Sequence, residues 1–362
     1  MRKRETTPPI DKDAERYNTA AVKLMAMLLV VLCHSASIYM PGGWGPYPPA
    51  RGSVPLGLLA SWLNTFHIHT FVAVSGYLFY YLRCETHRYD DAAAVIRKKA
   101  ARLLLPYACA SALWVMPFDA AFWGVSPARL FREYALMTNP SQLWFLPMLF
   151  FVFVAFILLA RRVDFRAQKR GTVFIWIAAL YLVNLLASAV GGGDWSNVFQ
   201  LRRAAQFLLY FYLGMQLRRL DTRAWYRVGY VLLALAASVG LFALGQVLSG
   251  LSGPLRYLRL LLAPLGSVSG VLFIWLLVNR TAPAAGTENR FFRFMRGGAF
   301  PVYLFHQQFI YLVIMGMNRA SVAPYLLEEA AFAVSLAASL GMYWVLRRWR
   351  VTRRMFGIGE SA

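Results

Sequence analysis

Ten runs of apolar residues recur along the chain, each near the length of about 20 residues that a helix needs to cross a hydrocarbon core about 30 Å thick. They lie near 20–40, 55–82, 103–123, 142–160, 172–190, 204–217, 228–249, 257–278, 299–317 and 325–346. Lipid supplies no hydrogen bonds, so backbone polar groups in such runs must be satisfied within helices. The expected fold is therefore all-α, a polytopic membrane protein of about ten transmembrane helices in one bundle. The sixth run is the shortest, and Pro264 and Gly266 interrupt the eighth. Composition agrees, with 15% charged residues against about 25% in soluble domains. Cys33 and Cys109 sit inside apolar runs and Cys84 beside a basic loop. An odd count without framework spacing argues against an oxidised extracellular fold.

An even number of spans puts both termini on one side, and the Lys/Arg distribution selects the side. The N-terminal arm through Lys23 and the segments 83–102, 161–170, 218–227, 279–296 and 347–354 hold 30 of the 38 basic residues. The alternate loops hold the other eight: Arg51, Arg129, Arg132, Arg202, Arg203, Arg256, Arg259 and Arg319. Both termini are expected in the cytoplasm of a cell (inner or plasma) membrane, and the net charge of +22 requires no nucleic-acid partner. The domain organisation follows: a basic cytoplasmic arm over 1–22, a membrane domain over 23–346 and a basic cytoplasmic tail over 347–362. Leu24–Cys33 followed by Ser35-Ala36-Ser37 also has the outline of a signal peptide. The long arm before it, with Glu5, Asp11, Asp13 and Glu15, and the apolar run continuing toward Tyr39 speak for a first span instead.

Four of the five histidines, His34, His67, His69 and His306, fall within these runs. Ionisable groups at that depth are costly and mark functional candidates, although a neutral imidazole bonded between helices is the competing structural reading of each. Lys23 precedes His34 by eleven residues, about three helical turns and a rise of about 16 Å, so the two share one helix face. That spacing suits a long anionic ligand whose phosphate-bearing head meets Lys23 while a flexible arm reaches His34; Lys23 as a snorkelling topological anchor is the competing reading. His67 and His69 stand about 200° apart around a helix and cannot both face one small site. No carboxylate or cysteine follows either at i+3 or i+4, so no metal is expected. Ser75-Gly76 reads as a small-residue contact that lets two helices approach. Lys99 and Arg102, one turn apart at the start of the third run, are placed to clamp phosphates of a cytosolic cofactor. Arg202 with Arg203 and Arg256 with Arg259 read as solvated interfacial arginines, with contact to an extracytoplasmic acceptor as the alternative.

Five segments resemble the motifs of the acyltransferase family 3 membrane proteins, in the family's order. Lys23-x10-His34 is similar to an Arg/Lys-x10-His signature. Phe66-His67-Ile68 with Phe71 and Ser75-Gly76-Tyr77-Leu78-Phe79 is similar to a Phe-His-Met-Pro-Leu-Phe-Phe-Phe-Leu-Ser-Gly-Phe segment. Lys99-Ala-Ala-Arg102-Leu-Leu-Leu-Pro106 resembles an Arg-x-x-Arg motif, Leu143-Trp144-Phe145-Leu146-Pro147 resembles His-Leu-Trp-Phe-Leu, and Tyr303-Leu-Phe-His306-Gln307 resembles Tyr-x-x-His-Gln. Three positions depart from the pattern. Lys99 replaces an arginine, which weakens bidentate phosphate recognition while keeping the charge. His69 stands where proline is usual and Gln142 where histidine often precedes the Leu-Trp-Phe-Leu run, departures that fit a subfamily with a different acceptor.

The resemblance implies transfer of an acyl group, acetyl or succinyl foremost, from cytosolic acyl-CoA to a hydroxyl of an extracytoplasmic glycan, lipid or small molecule. The first two helices also resemble the glucan-modifying branch. On this reading acyl-CoA, a glycan or lipid acceptor and the bilayer are the partners. His34 is the candidate base or transient acyl carrier, and His67 orients the donor or assists as an acid. Lys23, Lys99 and Arg102 bind the donor's phosphates, and His306 belongs to the acceptor side. The alternative is a proton-coupled transporter or flippase, which usually needs buried carboxylates. Here the acids lie mainly in loops or near ends of runs, among them Asp119, Glu328 and Glu329.

Overall fold

The computed structural model describes residues 12–42, 48–190, 194–220, 222–281 and 289–359, the side chains of 12–17, 194, 195 and 256 excepted. Residues 43–47, most of the N-terminal arm and the loop 282–288 lie outside them. No strand occurs among the described residues. The helices are α1 (Lys12–Ala36), α2 (Val54–Asn64), α3 (His67–Tyr80), α4 (Ala92–Ala110), α5 (Met116–Trp123), α6 (Pro127–Leu130) and α7 (Phe145–Leu159), then α8 (Arg170–Ala189), α9 (Leu201–Arg219), α10 (Val228–Ser249), α11 (Leu258–Thr281), α12 (Arg290–Met317), α13 (Pro324–Leu346) and α14 (Arg350–Met355).

Eight helical segments of the described chain are long and apolar enough to cross a bilayer. The two remaining expected spans are helical but differ in kind, and each has a physical reason. The run 55–82 is broken at Thr65-Phe66, where Phe66 leaves helical geometry at φ −143°. The amides of Thr65 and Phe66 close the end of α2 on the carbonyls of Trp62 and Leu63, and the Thr70 amide restarts the ladder on Phe66. The sixth run becomes α9, whose ends carry Arg202, Arg203, Arg218 and Arg219. Much of α9 is buried, including Phe207, Tyr210, Phe211, Tyr212 and Gln216. It is surrounded by other helices rather than by lipid, which relaxes the demand for a uniformly apolar surface.

Backbone contact between α3 and α9 sets the centre of the bundle. A Cβ at Gly76 would lie 1.9 Å from the Phe211 carbonyl oxygen, and one at Gly214 would lie 1.8 Å from that of Ala73. Only glycine permits this approach from both sides, which is the small-residue contact expected at Ser75-Gly76. Below the crossing, Phe79, Phe153, Phe156 and Phe211 interlock, with the Phe156 and Phe211 rings 4.6 Å apart between centroids. At the basic-loop end, Arg218 meets Glu85 through two hydrogen bonds of 2.7 and 2.6 Å, tying the continuation of α3 to the end of α9.

Candidate active site

α1 runs without interruption from Lys12 to Ala36, so Lys23 and His34 stand on one face three turns apart. Around His34 the fold gathers two more of the intramembrane histidines. The Nδ1 atom of His34 lies 2.8 Å from Nε2 of His306 on α12. The ring planes are within 12° of parallel, with centroids 5.0 Å apart, so the contact is made in line with the rings. The edge of His67 faces His34 with centroids 6.0 Å apart.

Backbone carbonyls fix the proton positions. His306 Nδ1 lies 2.9 Å from the carbonyl oxygens of both Val302 and Tyr303. A carbonyl only accepts, so this nitrogen carries the proton and Nε2 presents a lone pair. His34 must then donate from Nδ1, which makes Nε2 its basic nitrogen. The same reasoning applies to His67, whose Nδ1 lies 2.8 Å from the Leu63 carbonyl oxygen at the break between α2 and α3. Its Nε2 is therefore an acceptor, so a neutral His67 suits holding a hydroxyl better than acting as an acid. The 2.8 Å separation at the His34–His306 pair is that of a hydrogen bond.

His306 is itself held by a buried amide network. Tyr303 donates from its hydroxyl to the Gln142 carbonyl oxygen. The Gln142 side chain donates to the Leu304 carbonyl oxygen at 3.1 Å and to Gln308 Oε1 at 2.8 Å. Trp114 adds a 3.0 Å bond to the same Gln308 oxygen, and Gln307 donates to Ser141 Oγ and the Tyr311 hydroxyl. Gln142, Gln307 and Gln308 are all buried. Gln308 was not singled out from the sequence, although an amide run within an apolar span was the available signal. Gln142, noted only as a departure from the motif, is here the link between the Leu143-Trp144 segment and α12.

The remaining expected positions divide. Lys23, Lys99 and Arg102 come close enough to repel one another electrostatically, although α1 and α4 are separate in sequence. Lys99 stands with its Nζ 3.5 Å from the centre of the Phe153 ring, a cation–π contact that holds the ammonium without neutralising it. His69 turns away from the histidine centre, lying 4.7 and 4.3 Å from the Phe207 and Tyr210 rings on α9, as the 200° separation from His67 requires. Arg203 is no solvated arginine: its guanidinium covers the Trp144 ring at 4.5 Å and donates to Gln200. Arg259 is exposed, and the side chain of Arg256 lies outside the described set. Glu328 sits near the start of α13, as expected, yet it is buried and accepts a 3.0 Å bond from Ser35 beside His34.

The family model described as an acyltransferase domain, that of acyltransferase family 3, matches residues 18–347. No curated protein and no solved structure gives a match. The match runs from within α1 to the end of α13, and includes the histidine centre and the basic cluster. The chain thus belongs to acyltransferase family 3 and is a multi-pass membrane acyltransferase.

Proposed function

We propose that this protein moves an acyl group, acetyl or succinyl foremost, from cytosolic acyl-CoA to a hydroxyl of an extracytoplasmic glycan, lipid or small molecule. It works in the cell membrane with both termini in the cytoplasm, in keeping with the 30-to-8 partition of basic residues. The observation that carries this reading is the pairing of His34 with a backbone-anchored His306 at 2.8 Å, three turns along α1 from a cluster of three cations.

In this scheme Lys23, Lys99 and Arg102 hold the donor's phosphates, and the pantetheine arm lies along α1 toward His34. The acceptor oxygen attacks the thioester carbonyl carbon while His34 Nε2 takes its proton. The carbon–sulfur bond then breaks, the acyl group stays on the acceptor oxygen, and the departing thiolate receives the proton from His34. The imidazolium formed in between is stabilised by His306, whose Nε2 accepts the Nδ1 proton's hydrogen bond while two carbonyl oxygens face the far nitrogen. His67 Nε2 holds the acceptor hydroxyl or the donor in line. The likeness of the first two helices to glucan-modifying members favours a glycan acceptor.

Mass spectrometry of extracytoplasmic glycans and lipids from cells with and without the protein tests this. The expected result is loss of one ester mass from an otherwise unchanged acceptor. No missing acyl mass, together with an unmodified solute accumulating on one side of the membrane, would favour a transporter, to which the buried Glu328 would then belong.

A further inference from the structure

A cavity of about 560 Å³ lies between α8, α9 and α11, with Ala73 of α3 in its wall and none of His34, His67 or His306 lining it. Its volume is that of a small-molecule site, and its chemistry is divided end to end. Val173, Phe174, Ile177, Leu213, Val268 and Val271 make an apolar trough, while Arg170, Arg219 and Gln216 close one end. The trough follows only the halves of α8 and α9 nearest the basic loops. Further along, the Tyr181 hydroxyl donates to the Leu261 carbonyl and joins α8 to α11. The space is therefore open in one leaflet and bridged in the other.

The polar end is built for an anion. Neither Arg170 nor Arg219 has a carboxylate within ion-pair distance among the described residues. Arg219 is oriented by Gln216 Oε1 and by the Gln168 carbonyl oxygen. Gln216 is only 4% exposed, yet its side-chain Nε2 has no hydrogen-bond partner among the described residues. Buried donors without acceptors cost free energy that a bound oxyanion would recover. The donor-phosphate cluster on α1 and α4 uses other residues, so this site is additional to it.

We propose that the trough binds one anionic glycerophospholipid from the leaflet on the basic-loop side. Its phosphate meets Arg170 and Arg219, its polar oxygens meet Gln216, and an acyl chain fills the space between α8 and α11. Charge complementarity and the apolar walls together select a lipid over a soluble anion. The lipid completes the contact between α8 and the rest of the bundle, where α8 otherwise exposes Phe174 and Ile175.

The test is thermal unfolding of the purified full chain in neutral detergent with added dioleoyl phosphatidylglycerol, dioleoyl phosphatidylcholine, inorganic phosphate or acetyl-CoA. Phosphatidylglycerol should raise the melting temperature by at least about 2 °C; phosphatidylcholine and inorganic phosphate should not, and any shift from acetyl-CoA, which binds elsewhere, should add to that of the lipid without displacing it. The shift should vanish in Arg170→Gln, an exposed position, and in Val268→Phe, which narrows the trough, and persist in Arg290→Gln on the same side but outside the cavity. Because Val268→Phe could disturb packing, Arg170→Gln decides alone if that variant does not fold. An equal shift with phosphatidylcholine or phosphate, displacement of the lipid by acetyl-CoA, or an undiminished shift in Arg170→Gln would overturn the assignment. The readout is independent of acyl transfer, so it stands or falls separately from the proposed activity.

Discussion

His34 and His306, 272 residues apart in sequence, are joined by a 2.8 Å hydrogen bond, and its direction is set by two backbone carbonyls behind His306. The pairing makes α12 responsible for which nitrogen of His34 is basic, so the second histidine acts through the first.

Replacing His306 should therefore lower the rate without abolishing it. His306→Ala is expected to cost roughly ten- to a hundredfold through loss of the bond and of ring orientation. His306→Gln should recover part of this, because an amide oxygen can accept from His34 Nδ1–H. The check is the pH–rate profile: the alanine variant should shift the profile and the glutamine variant should restore it. Equal rates and profiles for both variants would reduce His306 to a packing residue.

The α3–α9 crossing predicts a stability effect that has no bearing on chemistry. Gly214→Ala pushes a methyl group into the Ala73 carbonyl and should destabilise the protein by at least about 1–3 kcal/mol. Gly171→Ala, with open space around it, should be neutral or slightly stabilising. Melting temperatures in detergent compare the two.

The donor site predicts an asymmetry between the two faces. Arg102→Ala should weaken acyl-CoA binding by about ten- to a hundredfold, the worth of a charge-assisted contact. Arg319→Ala, exposed at the opposite end, should bind as wild type. Calorimetry that finds equal affinities removes Arg102 from the site.

What could be read from the sequence follows from what helical periodicity encodes. Lys23 and His34 share a face because eleven residues make about three turns, and His67 and His69 diverge because two residues make a little over half a turn. Ser75-Gly76 announced a close approach, though not that Gly214 would answer it from α9. The break at Thr65-Phe66 carries no proline or glycine, so the run 55–82 looks continuous until the capping bonds of Leu63 and Trp62 are seen. The charged ends of α9 hid in a short apolar run because neighbouring helices, not lipid, define its surroundings. The partner of His306, the amide network of Gln142 and Gln308, and the bond from Ser35 to Glu328 all join residues far apart in sequence. Periodicity along one helix cannot report them.

Orientation is tested by reporter fusions after residues near 45, 90, 130 and 165. They should alternate outside, inside, outside, inside. Two adjacent fusions on the same side would move Lys23 away from the cytosolic donor and dismantle the proposed site.

The central claim is that His34 takes the acceptor's proton. The initial rate of acyl transfer by purified His34→Ala, set against wild type at matched melting temperature, measures it directly. A general base contributes roughly 10²–10⁴-fold, so the variant should fall by at least that lower bound while still inserting and accumulating normally. A variant that keeps more than about a tenth of the wild-type rate would contradict the account, since the proton would then be leaving by another route.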